Sequence, residues 1–381
     1  MGSIHCRLSK HALKNLLWYY GFYLLIDSMK YWLIPVFLLT VKVAFCSADI
    51  KSASPPVIGT LKINTQALCN TAKETLSYLK YGPTYDPQVI HEGHIFKVPM
   101  PKIKETLTFI CAHQSQMSNP EFVSKHFNFY RWYPDRTQIN TVHVSKSLIK
   151  RIPLDKILMT KYYVHLAHAK TRKTPQFSYP IYGVPPDEAH LSIEEAEKSP
   201  HLIRFQYGKQ AILKGALNQK DVPVLAYVKR DDLEAALLQG TLVAVFPNGK
   251  EKIFNVHRDN HVPYDKNRAP YAQERYWYFK EVHGIKGYGK DAYHKITVQP
   301  LTTFAGDLTH FGLGKLLMVQ YHNAQNITES RMGILADTGG AFANNQYQVD
   351  YLSGSYANVQ AFAQANKHLP DYVQAYFLVV K

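Results

Sequence analysis

From about Met159 onward the chain changes rhythm. Short apolar and aromatic runs alternate with turns rich in Gly, Pro and Asn. The runs are Tyr162-Tyr163-Val164, Ser178-Tyr179-Pro180-Ile181-Tyr182, Val224-Leu225-Ala226-Tyr227, Thr241 to Phe246, and Ile253-Phe254-Asn255-Val256. Runs this short, bounded by turn residues and rich in aromatic and β-branched side chains, read as strands. Asn248-Gly249 is a hairpin turn, because both residues tolerate the positive φ that a tight two-residue turn needs. Several short strands at close spacing suggest barrels or sandwiches. Residues 258–273 are polar, contain Pro263 and Pro270, and read as a connector; strands resume from Arg275 to the C-terminus.

The part before this change reads differently. Thr65 to Leu79, Pro101 to His113 and Asn119 to Phe127 have helical apolar spacing. Ser118-Asn119-Pro120-Glu121 has the form of a helix start. Ser192-Ile-Glu-Glu opens a further short helix inside the β region. The expectation is a helical N-terminal part, an all-β middle and an all-β end.

A chain of 381 residues can bury a large core and has room for two domains. Its 27 Tyr and 18 Phe suit strands and supply flat faces for stacking on sugars or bases. A formal charge of +15 favours polyanions such as nucleic acid, anionic membrane or acidic cell-wall polymer. The basic residues are scattered rather than blocked, so they do not single out nucleic acid.

Residues 1–48 read as an export segment. Met29-Lys30 opens an apolar run from Tyr31 to Phe45, and Cys46-Ser47-Ala48 offers small residues before Asp49. Charge, apolar stretch and small-residue end are the parts of a secretory signal, and they fit best with translation starting at Met29. A lipid anchor at Cys46 is not expected, because Phe45 is bulky where lipoprotein signals need a small residue. After cleavage Cys69 and Cys111 remain; an exported chain can oxidise them, but their spacing leaves open whether they meet. No CxxC or HExxH motif is present, so no metal and no cofactor is expected.

One late stretch carries possible chemistry. Ile334-Leu-Ala-Asp337-Thr-Gly339-Gly340 runs an apolar strand into an acidic turn, and Val349-Asp350-Tyr351-Leu352-Ser353-Gly354 brings a second acid. The Gly339-Gly340 pair lets the backbone take positive φ or pass close to another group. Two carboxylates near one turn could form an acid/base site; equally, Asp337 could cap its own turn through a side-chain-to-backbone bond.

Taken in order, Thr160-Lys161-Tyr162-Tyr163, Phe177 to Pro186, Leu225-Ala226-Tyr227, Gln239-Gly240-Thr241-Leu242, Arg275-Tyr276-Trp277-Tyr278-Phe279, Gly306-Asp307-Leu308-Thr309, Gly312-Leu313-Gly314, Asp337-Thr338-Gly339-Gly340 and Val349-Asp350 resemble the membrane-bound lytic murein transglycosylase A (MltA) family. The resemblance covers roughly residues 100–381. It implies a mainly β fold: a double-psi β-barrel with an inserted second β-domain, plus some N-terminal helices. The implied division is 49–160 for an N-terminal arm and helical part of the barrel domain, 161–265 for the inserted domain, and 275–381 for a C-terminal domain named for three aspartates.

The resemblance also implies a function. The chain would cleave the β-1,4 bond between N-acetylmuramic acid and N-acetylglucosamine and leave 1,6-anhydromuramic ends. Asp350 would be the single acid/base, with Asp337 and Asp307 in support. Glycan would meet Gln239, Gly240, Tyr162, Tyr163, Tyr182, Gly339 and Gly340, although each Tyr could equally pack in a core. The expected partner is peptidoglycan glycan strands, not nucleic acid, in the periplasm of a Gram-negative bacterium; membrane association and contact with other cell-wall enzymes stay open.

Two departures stand out. Lys161 replaces the Gly of the family's Thr-Gly-Tyr-Tyr, and Gln239-Gly240-Thr241-Leu242 stands for Gln-Gly-Ser-Gly. They motivate an alternative, a catalytically impaired relative that binds peptidoglycan without cutting it. A third reading keeps only the charge: an exported basic protein that binds another polyanion.

Overall fold

A computed structural model describes residues 48–135 and 147–381. Residues 1–47 of the export segment, Cys46 among them, lie outside the described residues. The strands are β1 (Ala48–Ala53), β2 (Thr60–Leu61), β3 (Phe127–Pro134), β4 (Ile157–His168), β5 (Tyr179–Tyr182), β6 (Val224–Val228), β7 (Thr241–Val245), β8 (Glu251–Asp259), β9 (Trp277–Val282), β10 (Ile285–Lys286), β11 (Thr297–Val298), β12 (Thr303–Ala305), β13 (Leu316–His322), β14 (Thr328–Asp337), β15 (Gln348–Tyr356) and β16 (Tyr372–Val380). The fold is mainly β, built on one large mixed sheet with few helices.

Six of these strands close on themselves. β16 pairs with β13, β13 with β14, β14 with β12, β12 with β15, β15 with β4, and β4 returns to β16 through Leu158 and Ile157. Closure removes free sheet edges. Two of the pairings, β12 with β14 and β15 with β4, are parallel. Inside lies the larger core, with Phe304, Leu317, Ile334, Tyr351 and Leu352 among its buried members.

β4 joins two parts of this sheet. Its residues Leu158–Tyr162 pair with β15, whereas His165–His168 pair with β7. From β7 the sheet continues antiparallel through β8 to β9. A second core of Ile181, Leu233, Leu242, Phe254, Tyr276 and Phe279 packs here, joined by the β5–β6 pair. The twelve residues of β4 are therefore the hinge line between two packed bodies.

Local signals explain most elements. Asn64 caps the helix Thr65–Leu79 by accepting from the Ala67 amide, and Leu68, Ala72, Thr75 and Leu79 form its buried stripe. Asn119 caps Pro120–His126, with Pro at the first turn. Ser192 and Glu195 make a reciprocal capping box on Ile193–Glu197. Gly249 turns the β7–β8 hairpin at φ 75°.

Three expectations are corrected. The N-terminal part is not simply helical, because β1, β2 and β3 join the large sheet. β1 lies beside β3 with Ala48 opposite Pro134 and Ala53 opposite Phe129. The middle is not all β: Arg230–Gln239 is a helix that buries Leu233, Ala236 and Leu237. Nor is the end all β, since Val359–Asn366 is a helix capped by Asn358. Cys69 and Cys111, left open by the sequence, form a disulfide between the helices Thr65–Leu79 and Met100–Ala112. Among the described residues no helix is long and apolar enough to cross a membrane.

Candidate active site

A cleft of about 350 Å³ opens where β4 passes from one body to the other. Tyr162, Gln239, Asn255, Lys295, Asp337 and Asp350 are among the residues that line it.

Sheet register brings the two acids together. On β12, Ala305 pairs with Asp337 of β14 on one side and with Asp350 of β15 on the other. Neighbouring strands lie about 4.8 Å apart, so the two acidic residues sit roughly 10 Å apart at the backbone with a methyl group between them. A larger residue at 305 would fill the space that both carboxylates face, because Ala305 also lines the cleft.

Asp337 is held by several groups. Its Oδ2 accepts from the Tyr162 hydroxyl at 2.7 Å, and its Oδ1 accepts from the Thr338 amide at 2.8 Å. The turn-capping role and a place in the cleft thus coexist in one side chain. Burial pushes this carboxyl up to about 6, and Asp350 adds to the rise; Tyr162, the Thr338 amide and Lys295 oppose it. Burial likewise pushes Lys295 down to about 8, against the pull of Asp337 and Asp291. Lys295 donates to Asn255 Oδ1 at 2.6 Å. Asn255 in turn donates to Thr241 Oγ1 at 2.7 Å and to the Gly240 carbonyl at 2.9 Å.

A carboxyl raised above its unfolded value of 3.8 stabilises the fold fully below that value, and the contribution is lost as pH rises through about 6. Asp337→Asn is therefore expected to stabilise the protein near pH 7.5 by about 1–2 kcal/mol, after discounting for the open cleft, and to be neutral near pH 4. Urea unfolding at the two pH values measures this. Equal effects at both would contradict the electrostatic account.

Asp350 lies on β15 opposite Thr160 of β4. Its Oδ1 accepts from Gln348 Nε2 at 3.3 Å. Two residues beyond it the strand is irregular, since the register shifts between Leu352 and Ser355. Ser353 and Gly354 thus form a bulge in β15 rather than a loop, and Ser353 Oγ donates to the Tyr162 carbonyl at 3.2 Å. The bulge ties the acid's strand to the strand that carries Tyr162.

Asp307 does not line the cleft. It is 2% exposed and caps the turn Leu308–Phe311 by accepting from the His310 amide. Its Oδ2 also accepts from Gln346 Nε2 at 3.1 Å and contacts His310 Nδ1 at 2.8 Å. It anchors the segment that leads into β15.

The expected glycan contacts divide. Gln239 and Gly240 line the cleft at the end of the helix Arg230–Gln239, where Gly240 takes φ 82° to stop the helix. Tyr162 and Tyr163 line it as well, and Tyr163 also stacks on Phe362 with centroids 4.7 Å apart. Tyr182 is corrected to a core residue: it is 4% exposed, packs in the second core and does not line this cleft. Gly339 and Gly340 are on the rim, but the reason expected for them is corrected. Gly339 is extended at φ −167°, and a Cβ at either position would meet nothing within 4 Å. They leave space rather than relieve strain.

The two departures fall in different surroundings. Lys161 does not line the cleft and instead forms an ion pair with Asp371 at 3.0 Å. Leu242 is fully buried in the second core, whereas Thr241 lines the cleft with its hydroxyl accepting from Asn255. Sequence reasoning missed Asn255, Lys286 and Lys295. The two lysines arrive on the hairpin formed by β10 and β11, a pairing of only two residues on each side, which is too short to leave a periodic signal.

Residues 158–266 match the family model of the MltA specific insert domain. No curated protein matches the chain. Solved structures do. A membrane-bound lytic murein transglycosylase from Agrobacterium tumefaciens is 14% identical with a TM-score of 0.56, over 87% of this chain and 97% of that one. E. coli MltA with bound chitohexaose is 15% identical with a TM-score of 0.53, over 87% and 94%. MltA from Neisseria gonorrhoeae is 16% identical with a TM-score of 0.53, over 89% and 92%. The chain thus carries the MltA specific insert domain and has the MltA fold.

Proposed function

We propose that this chain, with its MltA insert domain and MltA fold, is a peptidoglycan lytic transglycosylase. The observation that carries the reading is that Asp350 and Gln239, one from each body, face a single cleft. An acid in a closed core would have ruled the reading out. The closed ring of six strands is read as the double-psi barrel, with the second core as its inserted domain. The E. coli MltA structure with chitohexaose supports a glycan as the ligand.

In the proposed reaction Asp350 starts protonated. It gives its proton to the glycosidic oxygen between N-acetylmuramic acid and N-acetylglucosamine as the bond to the anomeric carbon breaks. The muramic acid 6-hydroxyl then closes on that carbon, and the Asp350 carboxylate takes the hydroxyl's proton. One bond breaks, one forms, and the acid ends as it began. No external water is consumed, so the second carboxylate of an ordinary glycosidase is not required.

Asp337 is the helper in this scheme. Whenever it is ionised, its charge discourages ionisation of Asp350 and so keeps the acid protonated for the first step. Tyr162 and Lys295 hold Asp337 in place. Gln239, Gly240, Tyr162, Tyr163, Gly339 and Gly340 bound the space for sugar rings, and Asp307 sets the approach to β15.

Digestion of purified sacculi tests the reading. The expected products carry 1,6-anhydromuramic ends and no new reducing ends. Reducing-end products would mean a hydrolase, and intact sacculi that retain bound protein would mean the impaired binding relative.

A further inference from the structure

Gln348 is fully buried beside the acid and takes no part in the scheme above. Its Nε2 lies 3.3 Å from Asp350 Oδ1 and 2.5 Å from Thr160 Oγ1. Its Oε1 lies 3.2 Å from Asn345 Nδ2. A carboxamide has one donor end and one acceptor end, so the orientation of this group decides what Asp350 meets.

The surroundings permit only one orientation. Asn345 is itself buried; its Oδ1 accepts from the Tyr347 amide at 3.3 Å, and its Nδ2 donates to the Ala341 carbonyl at 3.0 Å. Two backbone groups therefore fix Asn345 with its NH2 toward Gln348. Gln348 must answer with its oxygen, which turns its own NH2 toward Asp350 and Thr160. Thr160 agrees, because its single hydroxyl proton goes to the Val349 carbonyl at 3.3 Å, leaving it to accept from Gln348.

We propose that Gln348 is a positioning residue for Asp350, oriented by Asn345, and that it dictates which carboxyl oxygen carries the catalytic proton. An oxygen that accepts the Gln348 N–H cannot present a proton toward it. Oδ1 is held as an acceptor, a role the bare carbonyl oxygen fills better than the hydroxyl, so the proton of the acid form is directed to Oδ2. The same bond steadies the carboxylate after the proton has left. This inference rests on the reading of Asp350 as the acid/base, and it adds a fixed chain of orientation running from backbone through Asn345 and Gln348 to one oxygen.

The test reads the titration of the Asp350 carboxyl directly, by carbon NMR of protein labelled at aspartate, with Asp350→Asn to assign the signal. Gln348→Leu removes the donor, so Asp350 should hold its proton to higher pH, with a midpoint raised by about one unit. Asn345→Asp is nearly isosteric and reaches Asp350 through Gln348. It turns the amide around and should also raise the midpoint. In the double variant the Asn345 change should add little, because its route through Gln348 is gone. A simple effect of the added charge would instead persist there.

Unchanged midpoints in both single variants, or full additivity in the double, would overturn the proposal. On sacculi, Gln348→Leu should lower kcat about tenfold with KM little changed, and should move the alkaline limb of the pH profile upward. A purely structural role would lower activity without moving that limb. If the parent protein forms no 1,6-anhydro product, the enzyme reading fails, while the titration still decides the role of Gln348.

Discussion

Asp350→Asn is expected to lower the formation of 1,6-anhydro product by about a thousandfold, while glycan binding stays within a few-fold of the parent. The loss should be large because one group does two jobs. Asparagine cannot give an acidic proton to the leaving oxygen, and its amide cannot accept one from the 6-hydroxyl. The shape is kept, since an amide oxygen can still accept from Gln348, so misfolding does not explain the loss. Asp337→Asn separates the two acids. It keeps an acceptor for the Thr338 amide, so it should reduce the rate far less than Asp350→Asn. Product release from sacculi measured for both variants distinguishes the roles. If Asp350→Asn keeps more than a tenth of the parent rate, or if Asp337→Asn is the more damaging change, the acid/base has been assigned to the wrong strand.

The register of β12 explains why the sequence suggested two acids without saying how they relate. Asp337 and Asp350 are close in the chain and both close to Gly-rich segments, which made a joint site conceivable. That they flank Ala305 on opposite sides depends on a three-residue strand, too short to carry a pattern of its own. Elements with a strong local signature were legible: the helix Thr65–Leu79 with its Asn64 cap, the capping box at Ser192, and the turn at Gly249. β1 and β3 were not, because their pairing is set by contacts across eighty residues of chain. The helix Arg230–Gln239 was hidden between two strand-like runs, although Leu233, Ala236 and Leu237 have the spacing of a buried stripe. Tyr182 shows the limit of reading aromatics as sugar platforms, since burial rather than residue type decides between ligand and core. Lys161 shows the same for departures from a motif: a changed residue beside Tyr162 need not touch the cleft, and this one is held in an ion pair with Asp371 instead.

Replacing both Cys69 and Cys111 by serine is expected to cost about 2–4 kcal/mol of stability. The two residues are 42 apart in sequence with Cα atoms 4.8 Å apart, and in the chain-entropy view closing a loop of that size removes much freedom from the unfolded chain. The effect should reach the active site. The helix Thr65–Leu79 carries Thr71, whose hydroxyl lies 3.3 Å from that of Thr302 just before β12. It also carries Tyr78, whose hydroxyl accepts from the Lys290 amide at 3.0 Å. Lys290 belongs to the hairpin that brings Lys286 and Lys295 into the cleft. Loosening the helix therefore loosens one wall of the site, and a several-fold fall in activity should accompany a melting temperature lower by roughly 3–6 °C. Reduction of the parent protein should reproduce both changes, because a bond of this kind persists only where the surroundings are oxidising. Thermal unfolding with and without reductant, beside the double serine variant, makes the comparison. If the variant melts with the oxidised parent, the bond contributes nothing to holding the helix; if it melts lower but cuts sacculi at the parental rate, the helix does not position the hairpin.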